Sequence, residues 1–428
     1  MQKKESPQII YNLFPRLFKT IDDWSGHLDT VETMNFNAVY VNPFHEVGGS
    51  NSLYAVKDYF KLNPQFLRAR ARKDNFTPLK RFLNECAKRN LDVHMDLVIN
   101  HTANESVLIK EHPEWYKRND SGEIIHPYAI DPANPSNITV WGDLSEIDYE
   151  NNPDFEGLRD YWDKVIAFYQ EMGVNGFRCD AAYKVPRSMW EPLIEKAKKR
   201  DKSAKFLAET LGCTLDQIEQ LNGSGFDYLF NSSKWWNFDA SWCLDQHSQF
   251  RHIAPSISFP ESHDTTRVAQ EQPQTIQMQK NRYLLSALFS KGLLMPIGYE
   301  YGSGKQLNVV QSRPEDLIER QWDLTGWIGE INKMKAGSRV LSDEGRWRAV
   351  SGYDWDLLFL IKETEDGKDS IGVAVNKDWH NRRTLRRDEI PSDFGRFSSV
   401  LKPFEGGGKK LENEGDIEMD KNEIVIFK

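Results

Sequence analysis

Between residues 8 and 297 the chain repeats one alternation, and this limits its fold more than any other feature. A short apolar run that reads as a strand is followed by apolar residues at helical spacing, and the strand recurs eight times. The strands fall at residues 8–14, 36–41, 91–99, 176–180, 205–208, 226–230, 256–259 and 293–297. Helices are expected at 25–34, 77–89, 186–200, 214–221, 277–289 and 315–334. Another carries Leu158, Trp162, Val165, Ile166 and Tyr169 on one stripe and ends at Gly173. Strands that each return through a helix run parallel, and eight such units close into a (β/α)8 barrel of the TIM type. A doubly wound sheet would carry fewer units and a Gly-rich first turn, and no such turn is present.

Two stretches depart from the alternation. Residues 101–143 show no period and are rich in Pro, Asn, Asp and His. They are too long for a plain loop and read as a short subdomain inserted after the third strand. Beyond about residue 346 the helical spacing stops. Short strands at 350–352, 357–362, 370–376, 397–401 and 423–427, with turn residues between them, read as an antiparallel β-sandwich. The expected division is a barrel over 1–345, including the 101–143 insertion, and a sandwich over 346–428. Gly406-Gly407-Gly408-Lys409-Lys410 reads as a turn, because the Walker spacing of a phosphate loop is missing.

A net charge of −9 without a long basic run argues against a nucleic-acid partner. No stretch is long and apolar enough to span a membrane, and no apolar run follows Met1–Pro7 as in a secretory signal. The four cysteines lack metal spacing and read as thiols of a reducing compartment, so a cytoplasmic location is expected.

Catalytic residues of such barrels stand at the C-terminal ends of strands. The fourth strand ends in Gly176-Phe177-Arg178-Cys179-Asp180-Ala181-Ala182. Alternation puts Arg178 and Asp180 on one face, where the guanidinium keeps the carboxylate ionised. By itself this pair is as well explained by a structural ion pair. The third strand adds Asp96, Asn100 and His101, the fifth Glu209, and the seventh Glu261, His263, Asp264 and Arg267. Carboxylates, histidines and an arginine on successive strand ends converge on one cavity, which is costly unless used. Two carboxylates about 5 Å apart across a glycosidic bond give hydrolysis with retention. Asp180, held ionised, suits the nucleophile. Glu209, behind Leu207 and Ala208, suits the acid that must keep its proton, and Asp264 would stabilise the cationic sugar. Among single residues, Cys179 reads as a packing thiol, His94 as a core histidine and Glu261 as a rim carboxylate.

These motifs resemble the α-amylase family of glycoside hydrolases and transglycosidases over nearly the whole chain. Asp96-x-Val98-x-Asn100-His101, Gly176-Phe177-Arg178-x-Asp180-Ala181-Ala182, Ala208-Glu209 and His263-Asp264-Thr265-x-Arg267 resemble its four signatures in order. Tyr11-x-x-Phe14-Pro15-Arg16 and Asn42-Pro43 fit its first two strands. The resemblance implies that Asp180 is the nucleophile, Glu209 the acid/base and Asp264 the transition-state carboxylate. It also implies that Tyr54, in the motif that includes Asp58 and Tyr59, stacks on the reacting sugar, with His101, Arg178 and His263 on its hydroxyls. Asp58, Asp96, Arg267 and Lys184 complete the expected substrate-binding set. Where the family often has Lys-His after the nucleophile, this chain has Tyr183 and Lys184. In many α-amylases that histidine helps bind calcium. Lys184 therefore argues against a calcium requirement, and the sequence assigns no metal or cofactor. The segments around Glu300 and Trp322 resemble those of maltosyltransferases that use maltose 1-phosphate. The leading expectation is a retaining hydrolase of α-linked glucose oligosaccharides. A transglycosidase with the same residues is the alternative, and an inactive sugar-binding member a third. Oligomeric state is not legible.

Overall fold

The computed structural model describes residues 6–428 except 132–133, 318–319, 354–355, 406–408 and 413–414. Eight parallel strands close into a barrel. Around the ring they are Ile9–Leu13, Ala38–Val41, Asp92–Leu97, Gly176–Cys179, Lys205–Ala208, Tyr228–Phe230, Ser256–Ser258 and Gly292–Pro296. All eight correspond to runs read from the sequence. Their register sets the site: Arg178 is the Cα partner of Asp96 on one side and of Leu207 on the other. Phe177 and Cys179 point the opposite way into the core, where the Phe177 ring stacks on Phe206 at 5.1 Å. Gly176 is required by a neighbour, since a Cβ there would lie 1.5 Å from the His94 ring. His94 is a core histidine, with Nε2 at 2.8 Å from Gln8 Oε1.

The insertion combines β-pairs with a short helix, Val107–Glu111, and a 3-10 turn, Pro113–Trp115. His101–Ala103 pairs antiparallel with Leu144–Glu146 and closes its base, and Tyr128–Asp131 pairs with Asn134–Val140 as a hairpin. Beyond the barrel, six antiparallel strands run in the order Arg346–Ala349, Leu357–Glu363, Ser370–Asn376, Ile424–Phe427, Ser399–Lys402 and Lys409–Glu412. Pleating gives this sheet two buried faces. Leu358, Leu360, Val373 and Val375 join the barrel's core, while Leu357, Phe359, Ile361 and Ala374 form a separate one. The second core is closed by the small sheet of Arg383–Leu385 and Ile417–Met419, with Phe394 and Phe397.

Some expected boundaries need correction. The last barrel helix starts at Thr325 and not at 315, because Asp323 Oδ1 accepts the Thr325 N–H and starts the helix there. Residues 350–352 are not a strand; the strand lies just before, at Arg346–Ala349. The pair Arg383–Leu385 and Ile417–Met419 escaped notice because strands of three residues are too short to show a period. The glycines of the 406–410 turn lie outside the described residues. No helix among the described residues is long and apolar enough to cross a membrane.

Candidate active site

A cleft of about 470 Å³ opens at the C-terminal ends of the barrel strands. Asp180, Glu209 and Asp264 line it together with Tyr54, His101 and Lys184. Arg178 is the electrostatic centre. Its Nη1 lies 3.0 Å from Asp96 and 2.6 Å from Asp180, and its Nη2 lies 3.8 Å from Glu209. One buried cation therefore touches three carboxylates, each delivered by an adjacent strand end.

Glu209 is oriented by the backbone. Its Oε2 accepts the Ala181 N–H at 2.8 Å and its Oε1 the Leu211 N–H at 2.6 Å. Ala181 sits at φ +39°, in the left-handed region that residues with a Cβ seldom enter. That turn, directly after Asp180, aims its N–H at Glu209. The strain falls between the two carboxylates of Asp180 and Glu209. Burial pushes the Glu209 carboxyl up to about 7; Arg178 pulls it down and Asp180 pushes it further up. A carboxyl that titrates near neutrality can both give and take a proton.

Asp264 lies on the opposite wall, with its side chain 55% exposed to the cleft. Desolvation works against its charge, but the adjacent His263, with Nε2 at 3.0 Å, and Arg178 hold its carboxyl below the usual range. Tyr54 joins this wall to the floor. Its hydroxyl lies 2.6 Å from Asp96 Oδ2 and 2.6 Å from His263 Nε2, and its ring is parallel to His263 at 5.6 Å. Beneath, the Tyr40 hydroxyl donates to Asp96 at 2.5 Å. Burial pushes the Asp96 carboxyl up although Arg178 faces it.

Most of the expected site residues thus fall in two layers. Tyr54, His101, Lys184, Asp180, Glu209 and Asp264 face the cleft. Asp96, Arg178 and His263 lie directly behind them and are bonded to Tyr54, Asp180 and Asp264 respectively. Asp58 and Arg267 do not line the cleft. Asp58 accepts the Phe60 N–H and pairs with Lys61 at 2.8 Å, outside the cleft. Arg267 is buried against Glu261 at 2.6 Å and donates to the carbonyls of Ile297 and Lys305, so it braces the chain after the eighth strand. Glu261 is accordingly a buried structural partner and not a rim group.

The sequence reading missed Tyr40, Trp141 and the loop residues Val309 and Val310, all at or under the cleft. Tyr40 had a usable signal, since it is the Cα neighbour of His94 one strand away from the Arg178–Asp96 pair. Loop residues have no period to reveal them. Among the described residues one group, His112, Glu114 and Asp154, brings three metal-type ligand atoms within 4.8 Å of one another, and none of them lines the cleft.

A closed parallel barrel with its polar cluster at the C-terminal face defines a class, the (β/α)8-barrel proteins. Residues 8–133 match the glucanotransferase domain of glycogen debranching enzymes. Over 351 residues the chain is 24% identical to an α-1,4-glucan:maltose-1-phosphate maltosyltransferase of Burkholderia pseudomallei, covering 78% of this chain and 30% of that protein. A maltosyltransferase of the same name from Myxococcus xanthus is 23% identical, with 86% and 58% covered. The chain spans between about a third and three fifths of the length of these two relatives. An α-amylase structure from Lactobacillus plantarum superposes with a TM-score of 0.76 at 18% identity, covering 98% of both chains, which is a likeness of fold. In fold the chain is a (β/α)8 barrel like that α-amylase, and its partial sequence matches are to the glucanotransferase domain and the maltosyltransferases just named.

Proposed function

We propose that the chain is a retaining enzyme acting on α-linked glucose oligosaccharides through a covalent glycosyl-enzyme ester on Asp180. The observation that carries this reading is the contrast between two carboxylates in one cleft. Asp180 is paired at 2.6 Å with Arg178, while the Glu209 carboxyl on the next strand is pushed up to about 7. One is ready to attack and the other can hold a proton. In the first step Asp180 Oδ bonds to the anomeric carbon as the glycosidic C–O bond breaks, and Glu209 gives its proton to the leaving oxygen. In the second, Glu209 takes a proton from water or a sugar hydroxyl, whose oxygen displaces Asp180. Asp264, held ionised beside His263, stabilises the positive charge that develops on the sugar between these steps.

Hydrolysis is the leading reading. Transfer to a sugar is the second, favoured by the two maltosyltransferase relatives. The two share every step up to the ester.

The test uses α-glucosyl fluoride, whose leaving group needs no proton. Glu209→Gln should still be glycosylated but should deglycosylate slowly, so the ester accumulates on a peptide containing Asp180, seen by mass spectrometry. Azide should release it as an α-glycosyl azide. An adduct on Asp264, or a product of inverted configuration, would overturn the roles. In the unsubstituted enzyme kcat/KM for maltooligosaccharides should fall as pH rises above about 7, because the acid must be protonated. Longer products from maltoheptaose would select transfer over hydrolysis.

A further inference from the structure

We propose that a second cavity, beyond the Asp264 wall of the cleft and bounded by Arg16, Lys19, Lys305 and Arg313, holds a phosphomonoester carried by the substrate on the sugar units that stay with Asp180 in the ester. This rests on the glycosidase reading above and adds to it the charge of the substrate. The phosphate in question is remote from the bond that breaks.

The cavity has a volume of about 1080 Å³ and adjoins the cleft. Val310 lines both, while Asn51 lines the cavity and Ser52 the cleft. The rim between them is thin, and the Leu53 N–H ties its two segments by donating to the Val309 carbonyl at 3.1 Å. Gln306 Nε2 donates to the Thr265 carbonyl at 2.8 Å, and Arg267 Nε to the Lys305 carbonyl at 3.0 Å. These bonds fasten the cavity's loop to the segment that carries Asp264, so the cavity lies on that side. Glu209, on the other wall, must face the oxygen that leaves. An oligosaccharide that crosses the Val310 rim from the reacting sugar therefore brings to the cavity the units that it keeps.

The charge of the wall selects the ligand. Arg16 is 7% exposed, and its guanidinium meets only neutral oxygen. Nε donates to the Val309 carbonyl at 2.6 Å, Nη1 to Gln65 Oε1 at 2.9 Å and Nη2 to the Asn51 carbonyl. Three of its five N–H groups are thus used and two remain. Burial lowers its pKa to about 10, as expected of a cation that gave up water without gaining a counter-ion. Lys19 and Arg313 are exposed, and among the described residues neither charged group has an ion-pair partner. Lys305 Nζ stands 4.0 Å from Asp316, whose Oδ2 already accepts the Arg313 backbone N–H at 2.9 Å. Glu315 is the other carboxylate of the wall. Four cations against two carboxylates leave two positive charges. A phosphomonoester of charge about −2 balances them, whereas a sugar carboxylate supplies half of that. Guanidinium groups also match the spacing of phosphate oxygens. None of the four cations lines the catalytic cleft, so the proposed reaction leaves them without a task.

The experiment compares maltotetraose with the same sugar phosphorylated at O6 of its non-reducing glucose. In the parent, kcat/KM for the phosphorylated sugar should be roughly ten- to hundredfold the higher, the range of one charge-assisted contact. The gain should fall in KM and not in kcat, because a group remote from the breaking bond is held alike before and in the transition state. Arg16 braces the rim, so the variant used is the double substitution Lys19→Gln, Arg313→Gln, which should bring the ratio to within about threefold of one. A purely structural role would lower both constants together and leave the ratio high, which overturns the proposal, as does a parent ratio of one or less. Inorganic phosphate should raise KM for the phosphorylated sugar alone. A change in kcat for maltotetraose instead would make the cavity an effector site and overturn its place in substrate binding. If neither sugar is turned over, the glycosidase reading fails, and calorimetry of both sugars with the unsubstituted protein decides the cavity by itself: tighter binding of the phosphorylated sugar supports it, and equal affinity overturns it.

Discussion

The two ends of the barrel bury charge in opposite ways. At the C-terminal end of the strands, Arg178 faces Asp96, Asp180 and Glu209, so carboxylates outnumber the cation that holds them. At the N-terminal end, Lys335 and Lys362 are fully buried and end on backbone oxygen. Lys335 Nζ donates to the carbonyls of Ala287, Ser290 and Leu341 at 2.6–2.9 Å. Lys362 Nζ donates to those of Leu288 and Phe289 at 2.9 and 3.1 Å. Four of these five oxygens belong to the C-terminus of the helix Ile276–Phe289 and the residue after it, where carbonyls lack intrahelical partners and the helix dipole is negative. The lower charges are spent on groups that need them. The upper ones leave His101 Nε2 and Asn100 Oδ1 buried and unpartnered, and Asp264 half open. Burial of charge alone therefore does not mark a site; incomplete satisfaction beside a cleft does.

If that contrast is right, the two ends fail differently. The largest effect belongs to Asp180→Asn. It removes the proposed nucleophile while Arg178 keeps Asp96, so kcat for maltooligosaccharides should fall on the order of 10⁴- to 10⁶-fold. Circular dichroism and the thermal midpoint should stay near those of the parent. A variant that loses its fold together with its activity would show that the upper charges are structural after all.

Lys335→Met should do the reverse. The change keeps volume and removes the donor to three buried carbonyls. An unpaired buried carbonyl costs about 1–3 kcal/mol, part of which is offset by no longer burying an ammonium, so a net loss of about 2–4 kcal/mol is expected. Denaturant unfolding measures this, and kcat per folded molecule should be unchanged. Loss of activity without loss of stability would break the comparison.

The two ends were also unequally legible. The upper end could be read because short motifs at strand ends need particular residue types: Arg178 beside Asp180, Glu209 after two apolar residues, His263 before Asp264. Asp58 and Arg267 lie off the cleft lining, because a motif names neighbours in sequence but not the direction of each side chain. Trp141 and Val309 were invisible because they lie outside any periodic element. The lower end escaped entirely. Lys335 lies in a helix and Lys362 in a strand of the second sheet, and surface lysines occupy such positions routinely. Only the packing of that sheet on the helix Ile276–Phe289 brings both to one helix end, and contacts between distant segments leave no local trace.

The smallest effect distinguishes Lys362 from an ordinary lysine by its pH dependence. Burial lowers its pKa from 10.5 to about 8, with Glu344 and Asp343 opposing the fall. Between those values the unfolded chain holds a proton that the folded chain has released. Stability rises with pH wherever the unfolded state binds more protons, so this residue's contribution is least favourable below about pH 8 and improves up to about 10.5. The full difference in pKa would amount to about 3 kcal/mol at 1.36 kcal/mol per unit, and relaxation around a buried amine reduces that to roughly a third. Other lysines and tyrosines titrate in the same range, so the measurement is the difference in unfolding free energy between the parent and Lys362→Met at pH 7.5, 9 and 10.5. The parent should gain on the variant by about 1 kcal/mol across that span. Neutral amine nitrogen still donates to Leu288 and Phe289, so the bonds that fasten the sheet to the helix survive the loss of charge. A difference that stays flat, or shrinks as pH rises, would mean that the ammonium is not buried as the structure places it and that the lower end is solvated like the upper.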